Sequence, residues 1–256
     1  MTDLKFEYLM RLADNALVLS QRLSELCGKG PALEEDMALS NVALDLIGQA
    51  RFWFSYAGEI EGAGREEDAL AFLRDAHNFR NLLLLEQPNG SYAETLVRQF
   101  YFDAWHYLLL EQLLTSSDAR IAAIAEKSLK EVRYQVRRSG DLVVRLGDGT
   151  EQSHRMMQDA VNDLWMYTGE MFEADKVDQA MLALDIGPDL GRLRAPWIAH
   201  VSEILQEATL EVPPLEAWMQ RVASRVCIPK SWAFCSLKCS SCSAPIREPP
   251  GERRHG

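Results

Sequence analysis

Strands are what this sequence lacks most. No convincing run of β-branched residues alternates with polar ones at a period of two, so the chain reads as all-α. Cysteine is nearly missing before position 220, where Cys27 stands alone. A disulfide framework is not expected in such a protein. No apolar run approaches the ~18 residues that a membrane-spanning helix needs. The first residues, MTDLKFEYLM, show no basic segment followed by an apolar one and a cleavage site, so a cytoplasmic protein without a signal peptide is expected. Positive charge is scarce as well: the net charge is −11, which argues against nucleic acid as a partner. No internal repeat of fixed period is found.

What is present is one helical pattern after another. Hydrophobic residues make up 47% and charged residues 25%, as in globular chains. Leu9, Leu12, Ala13, Ala16, Leu17, Leu23 and Leu26 recur at threes and fours and predict a helix over 4–27, stopped by GKGP. The pattern predicts further helices over 33–57, ending near Gly58, and over 66–85, ending at QPNG. Ser91 and Glu94 form a capping box that opens a helix reaching about Leu114. TSSD then offers N-caps for a helix over 118–146, closed by GDG. Shorter helices are predicted over 151–173 and 175–184, and a last one from Trp197 to Leu210 after the connection GPDLGRLRAP. Helices of ~20 residues span about 30 Å, and with short polar connections they favour an antiparallel bundle.

Four of these helices carry an acid on or beside the apolar stripe: Asp14, Asp45, Asp103 and Glu131. Bundles that hold two iron or manganese ions take one acid from each of two helices and Glu-x-x-His from each of the other two. Residues three apart share a helix face, so both can reach one ion. Here the expected histidines are absent. Asp45 is followed at i+3 by Gly48, and Glu131 by Tyr134 in EVRYQVR, while His106 follows Asp103 on a helix that needs only an acid. Aspartate is also shorter than glutamate. These residues therefore read as degenerate metal-site positions, with no metal and no catalytic residue expected in this chain. Each also has an ordinary reading: Asp14 and Asp45 as hydrogen-bonded acids, Asp103 and His106 as a structural pair, Glu131 and Tyr134 as core polar groups held by Arg133, by Arg137 or by each other. The alternative is an active di-metal carboxylate oxygenase or ferritin-like protein with non-standard ligands.

At these residues the chain resembles a known family. RLADNALVLSQRLSELCG, ALSNVALDLIGQAR, LLLLEQPNGSYAETLVRQFYFDAWHYLLLEQLL, AEKSLKEVRYQVRRSGDLVVRLGDGT and EATLEVP are similar, in order, to the ferritin-like C-type subunits of bacterial phenylacetyl-CoA 1,2-epoxidases. The resemblance covers most of residues 4–218. It implies a ferritin-like antiparallel four-helix bundle with additional helices, acting as a metal-free structural subunit in aerobic phenylacetate catabolism. It also implies pairing with the homologous di-iron catalytic subunit, in a larger hetero-oligomer that holds a further small subunit. A reductase carrying FAD and an iron–sulfur centre completes that system, which uses O2 and NADPH to epoxidise the aromatic ring of phenylacetyl-CoA.

The resemblance stops near position 220, which divides the chain into a helical domain over 1–220 and an atypical tail over 221–256. The first part has a balance of −16 and the tail +5. The tail has four prolines, the four cysteines Cys227, Cys235, Cys239 and Cys242, and no helical period. It lacks the closing amphipathic helix that the resemblance implies. A shifted reading frame or a disordered segment is expected, with a zinc knuckle as the rival reading of the four thiols.

Overall fold

The computed structural model of the chain describes residues 2–214 and 219. The readings of the tail fall outside them. In chain order the helices are α1 (Thr2–Ser24), α2 (Leu33–Glu61), α3 (Glu67–Phe72), α4 (Leu83–Glu86), α5 (Tyr92–Leu113), α6 (Ala119–Gly147), α7 (Glu151–Trp165), α8 (Lys176–Ala183) and α9 (Leu190–Glu207). Two 3-10 turns, Ala76–Asn78 and Gly169–Phe172, lie between them, and no strand occurs among the described residues. The fold is all-α and ferritin-like.

Four long helices build the frame. α1 packs along α2, α5 packs along α6, and α2 meets α6 across the bundle. α7 and α9 lie against α5 and α6, and α8 lies against α1. The core fills with Leu9, Leu19 and Leu23 from α1, Leu46, Trp53 and Phe54 from α2, and Phe100, Tyr101 and Phe102 from α5. Burying a large side chain of this kind stabilises the fold by about 1.5–3 kcal/mol. Trp197 of α9 donates its indole N–H to the Tyr101 carbonyl at 3.0 Å, and Trp105 donates to the Met171 carbonyl at 3.0 Å. These bonds fasten α9 and the Gly169–Phe172 turn to α5.

The helix ends follow side-chain chemistry. Ser91 and Glu94 form the expected capping box, with the Glu94 amide donating to Ser91 Oγ at 3.3 Å and the Ser91 amide to Glu94 Oε2 at 3.1 Å. Asp118 caps α6, accepting the amides of Arg120 and Ile121 at 3.0 and 3.2 Å. α2 continues past Gly58 to Glu61 because Gly62, at φ +67°, is where the chain takes the left-handed turn that a side chain would resist. Gly147 ends α6 where a Cβ would sit 2.6 Å from the Ala208 carbonyl oxygen, so only glycine lets the end of α9 approach so closely.

Three expected helices differ from the observed ones. The stretch 66–85 is three short pieces rather than one helix. Its amides at Arg80 and Leu82 donate to Asp14 and Asn15 of α1, and a helical backbone would have used those amides internally. The stretch 151–173 ends its α-helix at Trp165 and closes as a 3-10 turn. α9 starts at Leu190, with Asp189 accepting the Gly191 amide at 3.0 Å, so most of the expected connection is helical. Pro196 sits inside α9 and leaves the carbonyl of Arg192 without its helical donor; Arg192 is exposed, so water can replace it.

Candidate functional site

The acids singled out from the sequence do not share one centre. Asp14 is fully buried on α1. Arg74, arriving from the segment after α3, grips both of its oxygens, Nη2 on Oδ1 and Nη1 on Oδ2 at 3.2 Å. The Arg80 amide adds a third bond at 2.8 Å. The Arg74 guanidinium stacks over Phe79, 4.3 Å from the ring centroid. Burial pushes the Asp14 carboxyl up, against the pull of Arg74 and the Arg80 amide. Together with Asn15, which accepts the Leu82 amide at 2.8 Å, Asp14 anchors an irregular segment to the bundle. The oxygens a metal would need are taken by a cation and an amide.

Asp45 and Glu131 do come together, across the α2–α6 contact. Gln49 donates to Glu131 Oε2 at 2.9 Å, and Gln135 donates to Asp45 Oδ2 at 3.3 Å. Both carboxylates are only half-buried. Partial burial raises both, and the Asp45 charge raises Glu131 further while Lys127 opposes it. Gly48 leaves open space where the template has a histidine: nothing lies within 4 Å of an added Cβ. Tyr134 is 60% exposed. Its expected pairing with Glu131 does not occur, and neither Arg133 nor Arg137 holds Glu131. The cause is the rotation of α6, which turns Val132, Gln135 and Ser139 inward and leaves Glu131 at the rim.

Asp103 and His106 lie on α5, and both are buried. The Gln99 amide donates to Asp103 Oδ1 one helical turn away. Burial pushes the Asp103 carboxyl up to about 7, with the Ser139 hydroxyl, the Gln99 amide and the Arg138 charge pulling the other way. His106 stacks on Phe102 with ring centroids 4.9 Å apart, and burial lowers it to about 3, so the ring is neutral. The expected Asp103–His106 pair is replaced by two separate contacts, Asp103 with Gln99 and His106 with Phe102.

This donor set does not fit a two-metal centre. Among the described residues, no group of three or more His, Cys, Asp or Glu side chains is arranged to hold a metal ion. A cavity of about 230 Å³ lies elsewhere, beside α1 and α5 and lined by Tyr8, Arg11, Glu86 and Trp105; none of the seven sequence-selected residues lines it. The sequence reading missed the groups that hold the acids: Gln49, Gln99, Gln135, Ser139 and Arg74. A signal for four of them was available. Gln49, Gln99, Gln135 and Ser139 lie four residues from Asp45, Asp103, Glu131 and Gln135 respectively, and so one helical turn from residues of the interior. Arg74 carried no such signal, because its partner is sixty positions away.

Residues 2–225 match a family described as phenylacetic acid catabolic protein. The chain is 51% identical over 211 residues to the C-type subunit of 1,2-phenylacetyl-CoA epoxidase from Escherichia coli (strain K12), covering 82% of this chain and 85% of that protein.

Proposed function

The chain belongs to the phenylacetic acid catabolic protein family, and from that premise we propose that it is the non-catalytic, metal-free subunit of a phenylacetyl-CoA epoxidase. In this reading it pairs with a homologous di-iron subunit, within a larger cytoplasmic hetero-oligomer that includes a small subunit, together with a reductase holding FAD and an iron–sulfur centre. The ring-epoxidising step, with O2 and electrons from NADPH, takes place on the partner. The observation that carries the reading is the 51% identity to the C-type epoxidase subunit over most of both chains.

The side chains support it. A carboxylate ligand must offer a free lone pair to an ion at about 2 Å. Asp14 is enclosed by Arg74 and the Arg80 amide, and burial pushes Asp103 up to about 7, so it holds its proton below neutrality. Those two positions act as hydrogen-bonded supports of the bundle. Neutral glutamines at 49, 99 and 135, all buried, donate to Glu131, Asp103 and Asp45 where a metal template would set an ion.

Co-expression with the di-iron subunit tests the proposal. Co-purification, no stoichiometric iron on this chain after anaerobic loading, and epoxidation that requires both chains are the expected results. More than about one iron per chain, lost on Glu131→Ala, refutes it in favour of a di-metal oxygenase in its own right.

A further inference from the structure

α2 carries two apolar faces. One packs into the core through Leu39, Val42, Ala43, Leu46 and Ala50. The other consists of Leu33, Met37, Leu44 and Ile47, which remain 71%, 58%, 65% and 44% exposed. These four positions, with Ser40, step by four, three, four and three along the helix. That is the seam by which one helix lies along another at about 20°. Gly48 continues the seam with open space above it, and the exposed ring of Tyr134 stands nearby on α6. A solvent-facing seam of this length marks an interaction surface.

The seam also carries charge. Asp45 and Glu131 adjoin it on α2 and α6, and their bonded partners are amides, Gln135 and Gln49. Lys127, one turn before Glu131 on α6, lies over the Phe52 ring at 3.9 Å. In the first turn of α2 Glu34 is exposed, while Glu35 is held by Arg138 and Tyr92 and Asp36 by the amides of Gly28 and Gly30. Arg51, one turn beyond Ile47 on the same line, is paired with Glu67. A second copy of this chain is a poor fit. Laid antiparallel, it sets Asp45 and Glu131 toward Glu34 of its mate; laid parallel, it sets acid against acid directly. Like charges face to face across an interface are unfavourable.

We propose that the Leu33–Met37–Leu44–Ile47 face of α2, with Asp45 and Glu131 beside it, is the docking surface for a helix of the partner subunit that offers an apolar seam with a Lys or Arg at its centre. The inference rests on the function proposed above and locates its pairing surface. The partner's cation completes the half-buried Asp45–Glu131 pair, and the partner's apolar residues cover Leu44, Ile47 and the hollow at Gly48.

The test is sedimentation velocity and titration calorimetry of the full chain against the homologous di-iron subunit. Leu44→Glu and Ile47→Glu should each weaken binding about 30-fold or more, as expected for residues at the centre of an interface. Asp45→Lys should weaken it about tenfold or more, by setting cation against cation. Leu73→Glu, at a leucine still more exposed than Leu44 and away from the seam, should bind within about threefold of wild type. All four side chains point to solvent or lie at its edge, so melting temperatures should stay within a few degrees. Wild-type binding untouched by the seam variants overturns this placement and leaves the proposed function standing. No binding by the wild type overturns both. A dimer of the chain alone that Leu44→Glu dissolves overturns the choice of occupant.

Discussion

Replacing Asp103 with asparagine should stabilise the protein, and by an amount that grows with pH. In the fold, burial sets the Asp103 carboxyl at about 7. In the unfolded chain it titrates near 3.9. The folded value is the higher one, so its stabilising contribution is complete below about 4, is lost as pH rises toward 7, and stays lost above that. At ~1.4 kcal/mol per pH unit, the cost of the ionised side chain is about 1.5 kcal/mol at pH 5 and about 4 kcal/mol at pH 8.5. Asparagine has nearly the shape of the protonated acid. Its carbonyl can keep the bond from Gln99. The assay is urea denaturation of wild type and Asp103→Asn, followed by tryptophan fluorescence from pH 5 to 8.5. The difference in unfolding free energy should widen by about 2–3 kcal/mol across that range, in favour of the variant. A difference that stays constant within ~0.5 kcal/mol, or a variant less stable at pH 8.5, refutes a buried, proton-holding carboxyl.

Other perturbations probe the remaining positions. Asp14→Ala removes the carboxylate from the buried Arg74 guanidinium, which keeps only the Leu70 and Asn78 carbonyls, and takes away the acceptor of the Arg80 amide, and should cost about 3–5 kcal/mol by chemical denaturation; a loss under ~1 kcal/mol would show that the anchor is dispensable. His106, set at about 3 in the fold, should show no imidazole titration by NMR from pH 8 down to 4.5. Its folded value lies below the unfolded 6.5, so its contribution is complete above ~6.5 and falls by about 1.4 kcal/mol per pH unit below that. Tyr134→His restores the Glu-x-x-His spacing, yet at a position 60% exposed it should change stability by less than about 0.5 kcal/mol and recruit no stoichiometric iron by elemental analysis.

The legible part of the fold was the part that rests on local pattern. The apolar threes and fours of α1, the Ser91–Glu94 box and the Asp118 cap are interactions within one helical turn, and the structure shows them where the spacing placed them. The stretch 66–85 misled because its apolar residues are compatible with a helix, while two buried acceptors on α1 draw its amides away. Pro196 misled in the opposite sense, since a proline in an exposed early turn can be borne. Of the four acids, Asp14 and Asp103 are buried and Asp45 and Glu131 half-buried, as positions on or beside apolar stripes should be. Their partners were not, because Gln49, Gln135 and Arg74 reach them from other segments.

The sequence by itself determined an all-α chain of long amphipathic helices and the absence of histidine at positions 48 and 134. Both are properties of single residues and of spacing along one helix. Only the tertiary structure decided that Tyr134 faces out, that Asp14 is bound by Arg74, and that Asp45 and Glu131 lie beside an apolar seam. A helical period fixes which residues share a face but not which neighbour the face meets. That choice belongs to the rotation and register of α2 against α6, set by packing between residues some ninety positions apart.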